Sequence, residues 1–123
     1  MSRLSELQQK LAEQKSVVDD LTAQVEHSAG EETRRLVHKQ EQASRAAQAI
    51  QHDLDAALNR VSYLREAGRL AQENLAVIGR RITATQIVDP VKAGGMESSR
   101  AATQREIDAI LREIVKLGAP VDI

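Results

Sequence analysis

A heptad pattern of apolar residues between Leu36 and Thr85 is the feature that most limits what this chain can fold into. Fifteen positions follow one another at alternating spacings of four and three residues, and twelve of them hold Ala, Val, Ile or Leu. This spacing places all of them on one face of an α-helix, and no Pro interrupts them. The pattern predicts a helix over about residues 31–86, roughly 80 Å long at 1.5 Å per residue, of the kind found in coiled coils.

A shorter heptad pattern predicts an N-terminal helix over residues 3–28. Six of its eight positions are apolar, and Gln14 and Ser28 are the exceptions. The two heptad patterns differ in phase by one residue near Gly30. A capping box from Ser28 to Glu31 and a left-handed Gly30 would give a hairpin, whereas local unwinding would give one continuous helix. The residues allow both arrangements.

The heptad positions of both helices predict a seam between helices of different copies of the chain. Leu and Val with interspersed Gln and Ser fit either a dimer or a trimer, so we expect a homo-oligomer. The residues assigned to this oligomer seam are Leu4, Leu7, Leu11, Val18, Leu21, Val25, Ile50, Leu54, Val61, Leu64, Leu75, Ile78 and Ile82. Gly68 lies in the same seam, where its missing side chain would admit a close neighbour.

A second apolar stripe with a period of seven residues lies on another face of the long helix. Two apolar faces on one helix imply two neighbours, and a third helix over about residues 99–117 would fold back to cover the second face. Residues 87–98 are expected to form a loop, because they contain Pro90 and the Gly94-Gly95 pair. The residues expected in this packing are Tyr63, Leu70 and Val77 of the long helix and Ile107, Ile110, Leu111 and Ile114 of the third helix.

The predicted fold is therefore all-α. A coiled-coil rod or helical hairpin would occupy residues 1–86, a loop residues 87–98, and a helix with an extended tail residues 99–123. We expect the N-terminal residues, the Ile87–Met96 loop and the Val121–Ile123 tail to dock on other proteins, since each lies at an end of a helix.

The composition argues against an enzyme or a metal site. The chain has no Cys, Trp or Phe and only one Tyr, so thiolate chemistry is excluded and an aromatic-lined pocket is disfavoured. His27, His38 and His52 fall at outward heptad positions, and no two of them have a spacing that places both on one metal ion. We expect no catalytic residue, no cofactor site and no metal site.

The charge distribution offers weak support for a nucleic-acid partner. The formal net charge is −1, which disfavours binding by a generally basic surface. Arg65, Arg69 and Arg80 belong to a locally basic stretch that would contact either phosphate groups or acidic side chains. Residues 1–30 carry more acidic than basic side chains, so we expect these Arg residues to pair with acids of this chain or of another copy.

These observations favour a structural protein, because a long helix transmits position and length. The expected role is a rigid spacer or plug in a larger complex, such as a phage virion needle or fibre or a secretion apparatus. An adaptor or export chaperone that binds a client helix is the main alternative, and a nucleic-acid-binding coil is a lesser one. No apolar run is long enough to cross a membrane and no signal-peptide core is present, so we expect no membrane insertion and a location in the cytoplasm or in a particle such as a virion.

Overall fold

The structure, a computed structural model, describes residues 2–123, and these residues form helices and no strand, with helix accounting for 90% of the chain. The helices are α1 (Arg3–Glu26), α2 (Glu31–Val88) and α3 (Pro90–Leu117). The chain divides into two compact units, the first ending at Asn59 and the second comprising Arg60–Ile123, so their boundary falls inside α2. The all-α prediction is confirmed.

The first unit is a helical hairpin. Gly30 has a φ of 66°, the left-handed conformation that a residue without a Cβ adopts at little cost, and the chain reverses there. Helix α1 then lies antiparallel to the first part of α2. The Nε2 atom of Gln14 donates to the carbonyl oxygen of Ala43 at 3.4 Å, and that of Gln40 donates to Thr22 Oγ1 at 2.7 Å. The hairpin is thus the alternative that the structure adopts.

The capping box predicted between Ser28 and Glu31 has no place in this turn, because α2 begins at Glu31 itself. Ser28 Oγ instead donates to the carbonyl oxygen of Val25 at 2.8 Å and lies 2.8 Å from Thr33 Oγ1. The left-handed Gly30 occupies the position directly before the helix. The Ser28 hydroxyl therefore joins the end of α1 to the first turn of α2.

The third helix begins nine residues earlier than the expected start at 99. Asp89 is its N-cap and accepts a hydrogen bond from the backbone N–H of Lys92 at 3.1 Å, and Pro90 occupies the first helical position. Pro is well suited to that position because no helical hydrogen bond is required of its nitrogen. Most of the predicted 87–98 loop is consequently helical, and Gly94 and Gly95 lie inside the helix. The predicted end of α3 is observed, with Gly118 at a φ of 86° as its C-cap.

The second unit is built on the heptad face of α2. Leu64 packs there with Ile110 and Ile114 of α3 to form its core. The prediction that α3 covers the second stripe is wrong, because Tyr63 and Leu70 on that stripe are 63% and 56% exposed. The heptad face offers α3 a more continuous aliphatic surface, and its burial removes more apolar area from water.

The residues assigned to a seam between copies are instead covered within one chain. Packing of α1 or α3 against α2 removes them from solvent, so the heptad pattern records contacts inside each unit. Leu4, Leu7, Leu11, Leu54, Val61, Leu64 and Ile82 are buried, and Val18, Leu21, Val25, Ile50, Leu75 and Ile78 are half-buried.

Replacement of Ile114 by Ala should lower the free energy of unfolding by about 2–5 kcal/mol, because this side chain is fully buried in the core of the second unit. Val115→Ala is the matched control, since Val115 is the next residue on the same helix and is 61% exposed. Urea unfolding followed by circular dichroism measures both. Equal losses for the two variants would contradict the observed orientation of α3.

Replacement of Gly94 or Gly95 by Ala should each raise the free energy of unfolding by about 1 kcal/mol, because both lie in a helix interior. An added Cβ meets no heavy atom within 4 Å at either position. Gly30→Ala should instead cost about 1–2 kcal/mol, because Ala is strained at a positive φ. Thermal unfolding of the three variants measures these changes. If residues 90–98 formed a loop, Gly94→Ala and Gly95→Ala would not raise the free energy of unfolding.

Candidate interaction surfaces

An exposed aliphatic corner, formed by residues 87–91, connects α2 to α3. Ile87, Val88 and Val91 are 84%, 85% and 87% exposed, the highest values among the exposed large apolar side chains of the described chain. The corner is well ordered by its backbone: the N–H of Asp89 donates to the carbonyl oxygen of Thr85 at 2.6 Å, and the Asp89 side chain caps α3. It therefore presents three aliphatic side chains to solvent from a hydrogen-bonded backbone.

A second apolar surface, here termed the outer stripe, lies on α2 and consists of Tyr63, Leu70 and Val77. Tyr63 and Leu70 are exposed and Val77 is half-buried. The guanidinium carbon of Arg60 lies 5.2 Å from the centre of the Tyr63 ring, a cation–π distance. Within residues 2–123, Tyr63 and Leu70 of the outer stripe are thus exposed and Val77 is covered in part.

Arg60 also links α2 to α3 through a two-pronged ion pair with Glu113. Its Nε and Nη2 atoms donate to the two carboxylate oxygens at 3.0 and 3.2 Å. This hydrogen bonding, with the negative charge of Glu113, raises the pKa of the Arg60 guanidinium above its usual value. Both side chains are largely exposed, so the pair orients Arg60 over Tyr63 more than it stabilises the fold.

The three Arg residues singled out by the sequence do not converge on one site. Arg65 Nη2 donates to the carbonyl oxygen of Pro120 at 2.6 Å, and Arg69 pairs with Glu66 of the same helix at 2.8 Å. Arg80 is exposed and makes no ion pair within residues 2–123. Two of the three guanidinium groups are thus occupied by groups of their own chain, so a common phosphate contact has no preformed geometry here.

His27, His38 and His52 are exposed, as their heptad positions predict. Across residues 2–123, no group of three or more His, Asp or Glu side chains could hold a metal ion. No helix in that part of the chain is both long and apolar enough to cross a membrane.

The C-terminal segment 119–123 docks on the second unit of its own chain, whereas the sequence predicted docking on a neighbour. Val121 packs against the Leu64 core, and the side chain of Ile123 lies over Gly68. A Cβ at Gly68 would be 2.6 Å from Ile123 Cδ1 and 3.3 Å from Ile110 Cγ2. The expectation that Gly68 admits a close neighbour agrees with these distances, although the pattern alone did not identify Ile123 as that neighbour.

Comparisons of the chain with protein families, with curated proteins and with solved structures give no match. The surfaces described above therefore carry the functional argument alone.

Removal of the Asp89 cap by Asp89→Ala should lower the free energy of unfolding by about 1 kcal/mol and loosen the corner. Asp89→Asn is the matched control, because its side-chain oxygen can still accept from Lys92. Amide hydrogen exchange at residues 91–93 should accelerate in the Ala variant and change little in the Asn variant. Equal exchange in both would show that the cap does not order the corner.

Proposed function

We propose that this protein is a non-enzymatic structural or assembly component, a helical spacer that works as a homo-oligomer within a larger complex. A dimer or a trimer is compatible with this role. The uninterrupted 58-residue helix α2 supports the spacer role, since a helix of this length is a fixed-length element. A phage virion needle or fibre, or a secretion apparatus, is the proposed setting, inferred from the helical architecture alone.

The exposed outer stripe is the observation that carries this proposal. Helix α3 occupies the heptad face of α2, so Tyr63 and Leu70 are left in water. Two large apolar side chains one heptad apart can be covered by a further helix, and their burial favours association. We propose that a second copy of the chain supplies that helix.

We further propose that α1 and α3 each pair with α2 as antiparallel coiled coils. The buried residues of α2 support this arrangement because all of them fall on the heptad series. They are Leu36, Ala43, Leu54, Val61, Leu64, Gly68, Ala71 and Ile82. A spacer assembled from such pairs would attach to its complex through the corner, whose three aliphatic side chains can enter an apolar recess of another protein.

Sedimentation equilibrium over a wide concentration range tests the role of the outer stripe. The wild-type chain should associate, and Tyr63→Ser with Leu70→Ser should weaken association at least tenfold while leaving the fold intact. Gln72→Ser with Glu73→Ser is the matched control, because both residues are exposed on the same helix and polar. A wild-type chain that stays monomeric throughout, or equal dissociation constants for the two variants, would refute association through this surface.

An adaptor that holds a client segment is the second candidate, and one feature of the second unit favours it. A groove between α2 and α3 has Ala76 and Gly79 on its α2 side and Arg100 on its α3 side. Its small side chains would let another backbone approach closely. An adaptor should be a monomer that enlarges only when the client is added, whereas the spacer should enlarge with its own concentration.

A further inference from the structure

Segment 119–123 lies in an apolar groove on the second unit, where one polar side chain, the polar anchor, binds it. We term it the Gly68 groove; its walls are Leu64, Ala67, Gly68 and Ile110, and Arg65 lies at its edge. Val121 packs against the Leu64 core, Ile123 lies over Gly68 two residues further on, and the Pro120 carbonyl oxygen accepts from Arg65 Nη2. Alternate side chains in pockets combined with a main-chain hydrogen bond are typical of extended-peptide recognition.

The segment is attached to its seat by few bonds. Among the hydrogen bonds found within residues 2–123, only the one from Arg65 reaches residues 120–123. The Nε atom of Arg65 is buried and has no acceptor in that part of the chain, so the polar anchor is only half used. Release of segment 119–123 therefore breaks the bond from Arg65 and the one from the Ala119 N–H to the Ile114 carbonyl oxygen. It also exposes the apolar side chains of Ala119, Val121 and Ile123.

The groove does not distinguish which copy of the chain provides the segment. Its contacts are with residues 120–123, and Gly118, at a positive φ, separates this stretch from α3. The same four residues of a second copy present the same carbonyl group and the same two apolar side chains. Exchange of an identical element between copies is a low-cost route to association.

We propose that the Gly68 groove is an interaction site for the 119–123 segment of a second copy of this chain, with which the chain's own segment competes. This inference deepens the proposed homo-oligomeric function and rests on it. A chain's own segment is at a high effective concentration, so it occupies the groove in an isolated copy. Exchange between two copies does not require other contacts, and association along the outer stripe favours it further by raising the local concentration of the second segment.

Two full-length variants with complementary defects test the exchange. The groove variant carries Arg65→Ala and Gly68→Ala, so its groove lacks the polar anchor and is narrowed at residue 68, while its segment is intact. The segment variant carries Val121→Asp and Ile123→Asp, so its groove is open and its own segment cannot dock. An equimolar mixture should form a 1:1 heterodimer in sedimentation velocity, because the intact segment of the first fills the open groove of the second.

The matched control replaces the groove variant by Gly79→Ala with Arg80→Ala, which alters a Gly and an Arg of the same helix outside the groove. This chain keeps its own segment docked, so its mixture with the segment variant should form heterodimer at least tenfold more weakly. The proposal is overturned if the groove and segment variants sediment as monomers in their mixture, or if both mixtures contain the same amount of heterodimer.

All of these chains also carry Tyr63→Ser and Leu70→Ser, so that association along the outer stripe neither adds to the heterodimer nor hides it. The two proposals then have separate tests. A wild-type chain that fails to associate through the outer stripe refutes the proposed function, whereas heterodimer formation in the mixture of variants tests the role of the groove. Circular dichroism verifies that each variant is folded. If the double groove variant is unfolded, Arg65→Ala alone replaces it under the same criteria, with Arg80→Ala as its control.

Discussion

Burial of the heptad face of α2 is the interaction on which the rest of the structure depends. In the first unit this face receives α1, and in the second unit it receives α3. Because the core side chains are aliphatic, the packing depends on apolar area and close fit, with little help from directional bonds. The polar links between helices are few, and the one from Arg60 to Glu113 lies at the surface.

The use of one face explains why the second apolar surface of α2 is available. At any point along its length, a helix can pack its most continuous aliphatic face against only one neighbouring helix. In the second unit, Ile110 and Ile114 of α3 pack against Leu64 on that face of α2. Tyr63 and Leu70 then stay more than half exposed. Their exposure follows from the competition between two apolar faces for one covering helix.

Much of the helical content and the heptad register could be predicted from the sequence, because periodicity reports which side chains share a face. The long helix extends only two residues beyond its predicted end at 86, and Gly118 ends α3 as expected. Periodicity does not report which helix covers that face. A pattern that suits an oligomer seam equally suits a hairpin folded on itself, and within one chain the seam residues are buried or half-buried where α1 and α3 pack against α2.

Two other departures have local causes. From the sequence, Pro90 predicts a loop between two helices. A Pro preceded by an Asp cap, however, begins a helix as readily as it ends one. The docking of Ile123 on Gly68 joins residues far apart in sequence, and no local spacing encodes that pairing. The Gly in the seam indicated that something approaches closely there, but only the folded chain shows what it is.

The position of Tyr63 has a practical consequence. The chain contains no Trp and no other Tyr, so this one phenol ring is the only strong intrinsic fluorophore of the molecule. It sits on an uncovered surface with a guanidinium group against it. Its emission and its quenching by small solutes thus report on the environment of that single surface, and the native chain carries its own optical probe there without any label.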